Sequence, residues 1–194
     1  MSSELRSRAL LGAIGLAVLL RAEYLRELLA SPFGRHAVLD GVFYEQAARA
    51  ILAGDPLAAD PGCFRAPLYP FFLAGIRAFT DSPLAPRLIQ MLLGIVTVVI
   101  VRGIALRTHD LRTANLAAFL AAGYGMFVYH EAEILGVSVG VMLNALATLL
   151  LLEAGRRGSA RWAAAGGLVL GLTAVTHATA LVLAPISFFW LLWL

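Results

Sequence analysis

A handful of polar residues in an otherwise apolar chain have the types and spacing for chemistry. Asp40 stands directly before a stretch of helical periodicity. A carboxylate there accepts backbone N–H bonds as a helix cap, worth about 1 kcal/mol, and it is also a potential base; the two roles are compatible. Arg65 precedes the proline-rich run Ala66-Pro67-Leu68-Tyr69-Pro70. Its planar guanidinium matches phosphate oxygens as a fork, which suits either a lipid headgroup or the phosphate of a bound ligand. Glu131 and Glu133 follow His130 in a short polar turn. They either face water, or orient a ligand, or contribute to a divalent metal site, although one His and two Glu so closely spaced give the metal reading little specificity. His177 interrupts a long apolar run and reads best as a hydrogen-bonded interior histidine. Asp55 reads as turn chemistry, and Tyr44 and Tyr69 as aromatics anchored at a membrane interface. The single cysteine, Cys63, can form no internal disulfide and has no partners for a zinc site.

The elements that must position these residues are set by composition. Of 194 residues, 60% are hydrophobic and only 14% charged, with a mean hydropathy of +0.83. A soluble domain carries about 25% charged residues, so this chain reads as an integral membrane protein, all-α and polytopic. All fifteen cations are arginine and are spread between apolar segments, a pattern that does not indicate nucleic-acid binding. Ala9 to Leu20 starts a first span, which the charged continuation Arg21 to Glu27 must extend as a solvated or internally paired helix end. Leu84 to Leu106, Ala114 to Tyr129 and Ile134 to Leu152 give three more spans, with Arg87 and Gln90 near the start of the first of these. Trp162 to Thr176 reaches only about 22 Å as a helix, so a short helix there and another from Ala178 fit better than one long helix. The chain stops inside the apolar run Phe188 to Leu194 and reads as a fragment, the N-terminal part of something longer.

Arginine placement orients the set. Arg6 and Arg8, then Arg107 and Arg112, then Arg156, Arg157 and Arg161 all fall on one side if each span crosses once, and the positive-inside rule makes that side cytoplasmic. Residues 31–83 then form a first external loop, with the Glu131–Glu133 turn and His177 on the same outer side. This loop is too long to be a passive connection. Phe43, Ala47, Ala50 and Ile51 recur on one face of Gly41 to Ala53, opposite Glu45, Gln46 and Arg49, which predicts an amphipathic helix on the membrane surface. Gly54-Asp55-Pro56 stops it, Asp60-Pro61-Gly62 turns the chain, and Pro67 opens a second interfacial helix running to Phe79.

The run Asp40-Gly-Val-Phe43-Tyr44-Glu-Gln-Ala47, then Gly54-Asp55, then Arg65-Ala-Pro67-Leu-Tyr69-Pro70 resembles the first external loop of GT-C glycosyltransferases, in particular the bacterial protein mannosyltransferase-like and aminoarabinose transferase-like enzymes. Leu88-Ile-Gln90-x-x-Leu-Gly94, Tyr129-His-Glu131-Ala-Glu133-Ile-Leu135 and Leu172-Thr-Ala-Val-Thr-His177-Ala-Thr resemble the same family in the same order. The resemblance implies a GT-C-like N-terminal half of a single transmembrane domain at the bacterial inner membrane. It implies inverting transfer of a sugar from a polyprenyl-phosphate donor to a protein, lipid or glycan acceptor at the outer face, with a divalent metal ion as an open cofactor question. It places Asp40 as the catalytic base and Arg65, Tyr69, Glu131, Glu133 and His177 in the substrate-binding set. Family members often have arginine at the position of His177, so a phosphate-binding role is not carried over there; neutral imidazole has no fixed charge. Family members are also much longer, and the truncated chain alone is expected to be inactive. A non-catalytic transporter or lipid-binding subunit is the competing reading. Transporters concentrate polar groups at the bilayer midplane, whereas here they gather at the outer ends of the spans.

Overall fold

A computed structural model describes residues 3–34, 37–56 and 65–193, and no strand occurs among them. The predicted turn at Asp60-Pro61-Gly62 and Cys63 lie outside the described residues. The helices are α1 (Ser3–Ala30), α2 (Asp40–Leu52), α3 (Leu68–Arg77), α4 (Leu84–Thr108), α5 (Leu111–Gly123), α6 (Gly125–Ala132), α7 (Val137–Arg157), α8 (Ala160–Ala174) and α9 (Leu183–Trp193), with 3₁₀ turns at Pro32–Gly34 and Ala178–Val182. Two of them, α4 and α7, are long and apolar enough to cross a membrane. At 1.5 Å per residue they reach about 37 and about 31 Å, against a hydrocarbon core of about 30 Å.

Two boundaries differ from the sequence reading, each for a local reason. The expected continuous span from Ala114 to Tyr129 is broken at Tyr124, whose backbone is extended (φ −74°, ψ 102°). It lies between Gly123 and Gly125, the residue type that holds a helix least firmly because it loses the most backbone freedom there. Asp40 is not the cap of α2 but its first residue. Leu39 holds the cap position with φ 50° and no side chain caps the helix, so the Asp40 carboxylate is directed elsewhere. The charged tail of the first span stays helical to Ala30. Glu23 and Arg26 pair on its exposed surface at 2.6 Å, while Arg21 turns inward.

The helices run alternately up and down. Gly12 of α1 lies beside Phe119 of α5, Arg102 of α4 donates to Asn115 of α5 at 3.0 Å, and Gly103 of α4 faces Leu149 of α7. Consequently α4 and α7 run parallel, with α5 and α6 returning between them. Ala13 and Ala17 of α1 pack against Val98, Ala118, Ala121 and Ala122. Such small residues let helix backbones approach closely, as in membrane bundles. Leu11, Leu19, Leu92, Val96, Leu116 and Leu120 point outward and are exposed, a surface matched to hydrocarbon rather than water.

The two ends of this bundle differ. At one end Arg107 donates to Glu153 at 2.6 Å and Arg157 also pairs with Glu153, while Arg156 reaches the Arg107 carbonyl at 3.0 Å. At the other end α2 and α3 pack together through Ala48, Leu73 and Ala74, with Ile134 and Val139 completing a second core. Glu45, read from periodicity as solvent-facing, is half-buried and ion-paired with the buried Arg77 of α3. Arg77 also donates to the Ser82 carbonyl at 2.8 Å. The backbone N–H of Leu68 donates to the Val175 carbonyl at 3.2 Å, tying α3 to the end of α8.

Candidate active site at the loop end of the bundle

The head of α2 and the residue that opens the proline-rich run meet although 25 positions apart. Arg65 donates from Nη2 to Asp40 Oδ1 at 2.9 Å. The Asp40 side chain is 64% exposed and that of Arg65 28%, so the pair lies open on one side. The guanidinium carbon sits 4.1 Å above the centre of the Phe43 ring and 5.7 Å from that of Tyr44. Consecutive helix positions point about 100° apart, yet the guanidinium lies within about 6 Å of both ring centres. Cation–π contact of this kind orients an arginine without occupying its N–H donors. Burial raises the Tyr44 hydroxyl above its ordinary pKa, and Arg65 pulls against that shift.

Tyr69 is buried, not exposed at an interface as its sequence context suggested. Its ring lies edge-on to Tyr44 at 4.9 Å, and its hydroxyl donates to Gln90 Oε1 at 2.5 Å. Burial pushes this hydroxyl well above the usual tyrosine range. Gln90 in turn donates through Nε2 to the carbonyls of Glu131 at 2.8 Å and Glu133 at 2.5 Å. Arg87, one helical turn earlier, donates to the Ala132 carbonyl at 2.9 Å and to the Gly34 carbonyl. The bend between α6 and α7 is therefore held from α4 through its backbone carbonyls. Gly41, next to Asp40, lies against this bend: a Cβ there would stand 3.5 Å from Ile134. A packed path thus runs from the Asp40–Arg65 pair through Tyr44, Tyr69 and Gln90 to the bend.

The Glu131 side chain does not join the open pair. It is buried and paired with Arg21 of α1, Nη2 to Oε1 and Nε to Oε2 each at 2.6 Å. Gly94 makes the space for it, since any Cβ at that position would overlap the Glu131 carboxylate. Glu133 remains half-buried at the bend. His177 is exposed rather than interior. It caps the rim of a cavity of about 290 Å³ between α7 and α8, lined also by Asn144, Thr173 and Thr179. Among the described residues no three His, Cys, Asp or Glu side chains come together to hold a metal ion; Glu131 is committed to Arg21, and His130 and Glu133 do not complete a set.

Periodicity had no means of finding Arg21, Arg87 and Gln90 as parts of one network. One physical signal was present: a charged side chain within apolar helices is costly unless paired, and Arg21 and Glu131 are two such charges of opposite sign.

A sequence model of the dolichyl-phosphate-mannose-protein mannosyltransferase family matches residues 64–194. No curated protein and no solved structure matches the chain. The match covers most of the chain, and the chain belongs to that family. Membership implies a membrane glycosyltransferase of the GT-C type that uses a lipid-linked sugar donor.

Proposed function

We propose that this chain is a polytopic inner-membrane enzyme that moves a sugar from a polyprenyl-phosphate donor to an acceptor at the outer face, with inversion at the anomeric carbon. The arginine-rich end of the bundle, with the N-terminus, is cytoplasmic by the positive-inside rule. The loop end, with α2 and α3 lying at headgroup depth, faces outward. The observation that carries this reading is the contact between Asp40 and Arg65 on the open side of the loop end.

Each member of the pair suits one half of the reaction. The leaving group is a phosphate ester, already a weak base, so its departure needs cationic stabilisation rather than a strong general acid. Arg65 offers a fork of N–H donors for that phosphate. The acceptor must lose a proton as it attacks the anomeric carbon, and the Asp40 carboxylate takes it. Glu133 at the bend and His177 at the cavity rim line the approach of sugar or acceptor, while Glu131 and Tyr69 act from behind the surface by fixing the bend and α3.

The test is sugar transfer from a labelled polyprenyl-phosphate donor by the full-length protein and its Asp40→Asn variant. The rate is expected to fall at least about a hundredfold, as for removal of a general base, with unchanged thermal stability. Near-normal turnover would reduce Asp40 to a helix-head carboxylate with no catalytic part.

A further inference from the structure

The two residues assigned to base and phosphate binding are, in this structure, engaged with each other. An arginine that holds Asp40 Oδ1 at 2.9 Å has that donor occupied, and the same bond keeps the carboxylate from the acceptor proton. We propose that Asp40 is a built-in stand-in for the donor phosphate: it occupies Arg65 until a phosphate ester displaces it, and only then is it free to serve as base. The inference rests on the reading of the pair given above and adds an order of events, donor before acceptor.

The asymmetry of the contact says which partner moves. Arg65 is half-buried and lies over Phe43 at 4.1 Å, with Tyr44 at 5.7 Å. Tyr44 is itself backed by the buried Tyr69 at 4.9 Å. Asp40 is mostly exposed and extends from the first residue of α2. Displacement therefore leaves the guanidinium on its aromatic platform and swings the carboxylate into the open side. Phe43 is a positioning residue in this scheme, because it fixes the plane in which the fork meets phosphate oxygens.

The energetics favour exchange in that direction. An exposed carboxylate–guanidinium pair in water is weak, typically worth no more than about fivefold in an equilibrium constant. A sugar-linked phosphodiester carries one negative charge, as a carboxylate does, but it accepts a fork of two N–H donors, and the phosphate monoester left when the sugar departs carries more charge still. The resting contact is thus strong enough to keep the base engaged and weak enough to yield.

Binding of geranylgeranyl phosphate, a sugar-free isoprenyl phosphate, to the detergent-solubilised full-length protein tests this without any turnover. Asp40→Asn, which removes the competing charge but keeps the shape, is expected to bind the probe about two- to fivefold tighter. Arg65→Ala is expected to weaken binding about tenfold or more and to abolish the Asp40→Asn gain in the double variant. Phe43→Leu is expected to weaken binding about two- to fivefold, with Phe43→Tyr restoring it. Inorganic phosphate should show the same directions of change at far weaker affinity. Unchanged or weaker binding by Asp40→Asn, or a gain that survives Arg65→Ala, would overturn the exchange, and equal affinity for inorganic phosphate would overturn its assignment to a lipid-linked phosphate. A variant that binds more tightly yet turns over normally would sink the base reading and leave the exchange standing.

Discussion

Two carboxylate–arginine pairs lie at the same end of the molecule and do opposite things. Asp40 and Arg65 meet at 2.9 Å on the open side, with side chains 64% and 28% exposed. Glu131 and Arg21 meet at 2.6 Å with both side chains 3% exposed. The exposed pair contributes little to stability and can be broken by a ligand. The buried pair joins α1 to the bend between α6 and α7, and removing one partner would strand a charge in the interior. Identical functional groups are thus available for chemistry in one place and committed to architecture in the other. Burial, not residue type, makes the difference.

The contrast can be broken most severely from its buried side. Glu131→Gln should destabilise the protein by about 3–5 kcal/mol, seen as a large drop in melting temperature in detergent, whereas Asp40→Asn should leave that temperature unchanged. Equal effects of the two would erase the distinction. Gly94→Ala should cost about 1–3 kcal/mol by overpacking, because the new methyl must displace the Glu131 carboxylate. A variant that melts like the parent would show that the carboxylate does not rest there.

A smaller effect sharpens the link between the two regions. Gln90→Leu removes the acceptor of the Tyr69 hydroxyl and the donor to two carbonyls of the bend. Buried polar groups left without partners cost about 1–3 kcal/mol, and transfer activity should fall although neither Asp40 nor Arg65 has been touched. The same contact gives an alkaline signature. The folded-state pKa of Tyr69 is raised by burial, so its contribution to stability is complete below the unfolded pKa of about 10 and is lost as pH rises above it. Tyr69→Phe should flatten that decline above about pH 10. Least of all should follow from Arg49→Ala. Its pair with Asp81 at 3.9 Å is 70% and 87% exposed, and the change should stay within about 0.5 kcal/mol.

The parts legible in the sequence were those that one helix determines by itself. Hydropathy marks α4 and α7, and the spacing of Ala47 and Ile51 with the stop at Gly54 outlines α2 to within a residue. The 15-residue α8 ending before His177 follows from the short reach of that apolar segment. What periodicity does not encode is which side chains meet across helices. Arg21 and Glu131 are 110 positions apart, and their partnership depends on α1 packing against α5 through alanines. Glu45 sits on the polar face of α2 by spacing, yet Arg77 of α3 draws it inward. His177 follows the last turn of α8 and so escapes the interior that its apolar neighbours suggested. The break at Tyr124 needed both flanking glycines to be weighed together, and hydropathy alone ignores them.

The carboxylate of Glu131 fills the volume that a side chain at position 94 would otherwise claim. These two positions therefore share one parcel of space, and neither is free to drift alone. In any homologue that replaces this glycine with a bulkier residue, position 131 should carry a shorter one and position 21 should surrender its arginine, the three changing as a set across lineages.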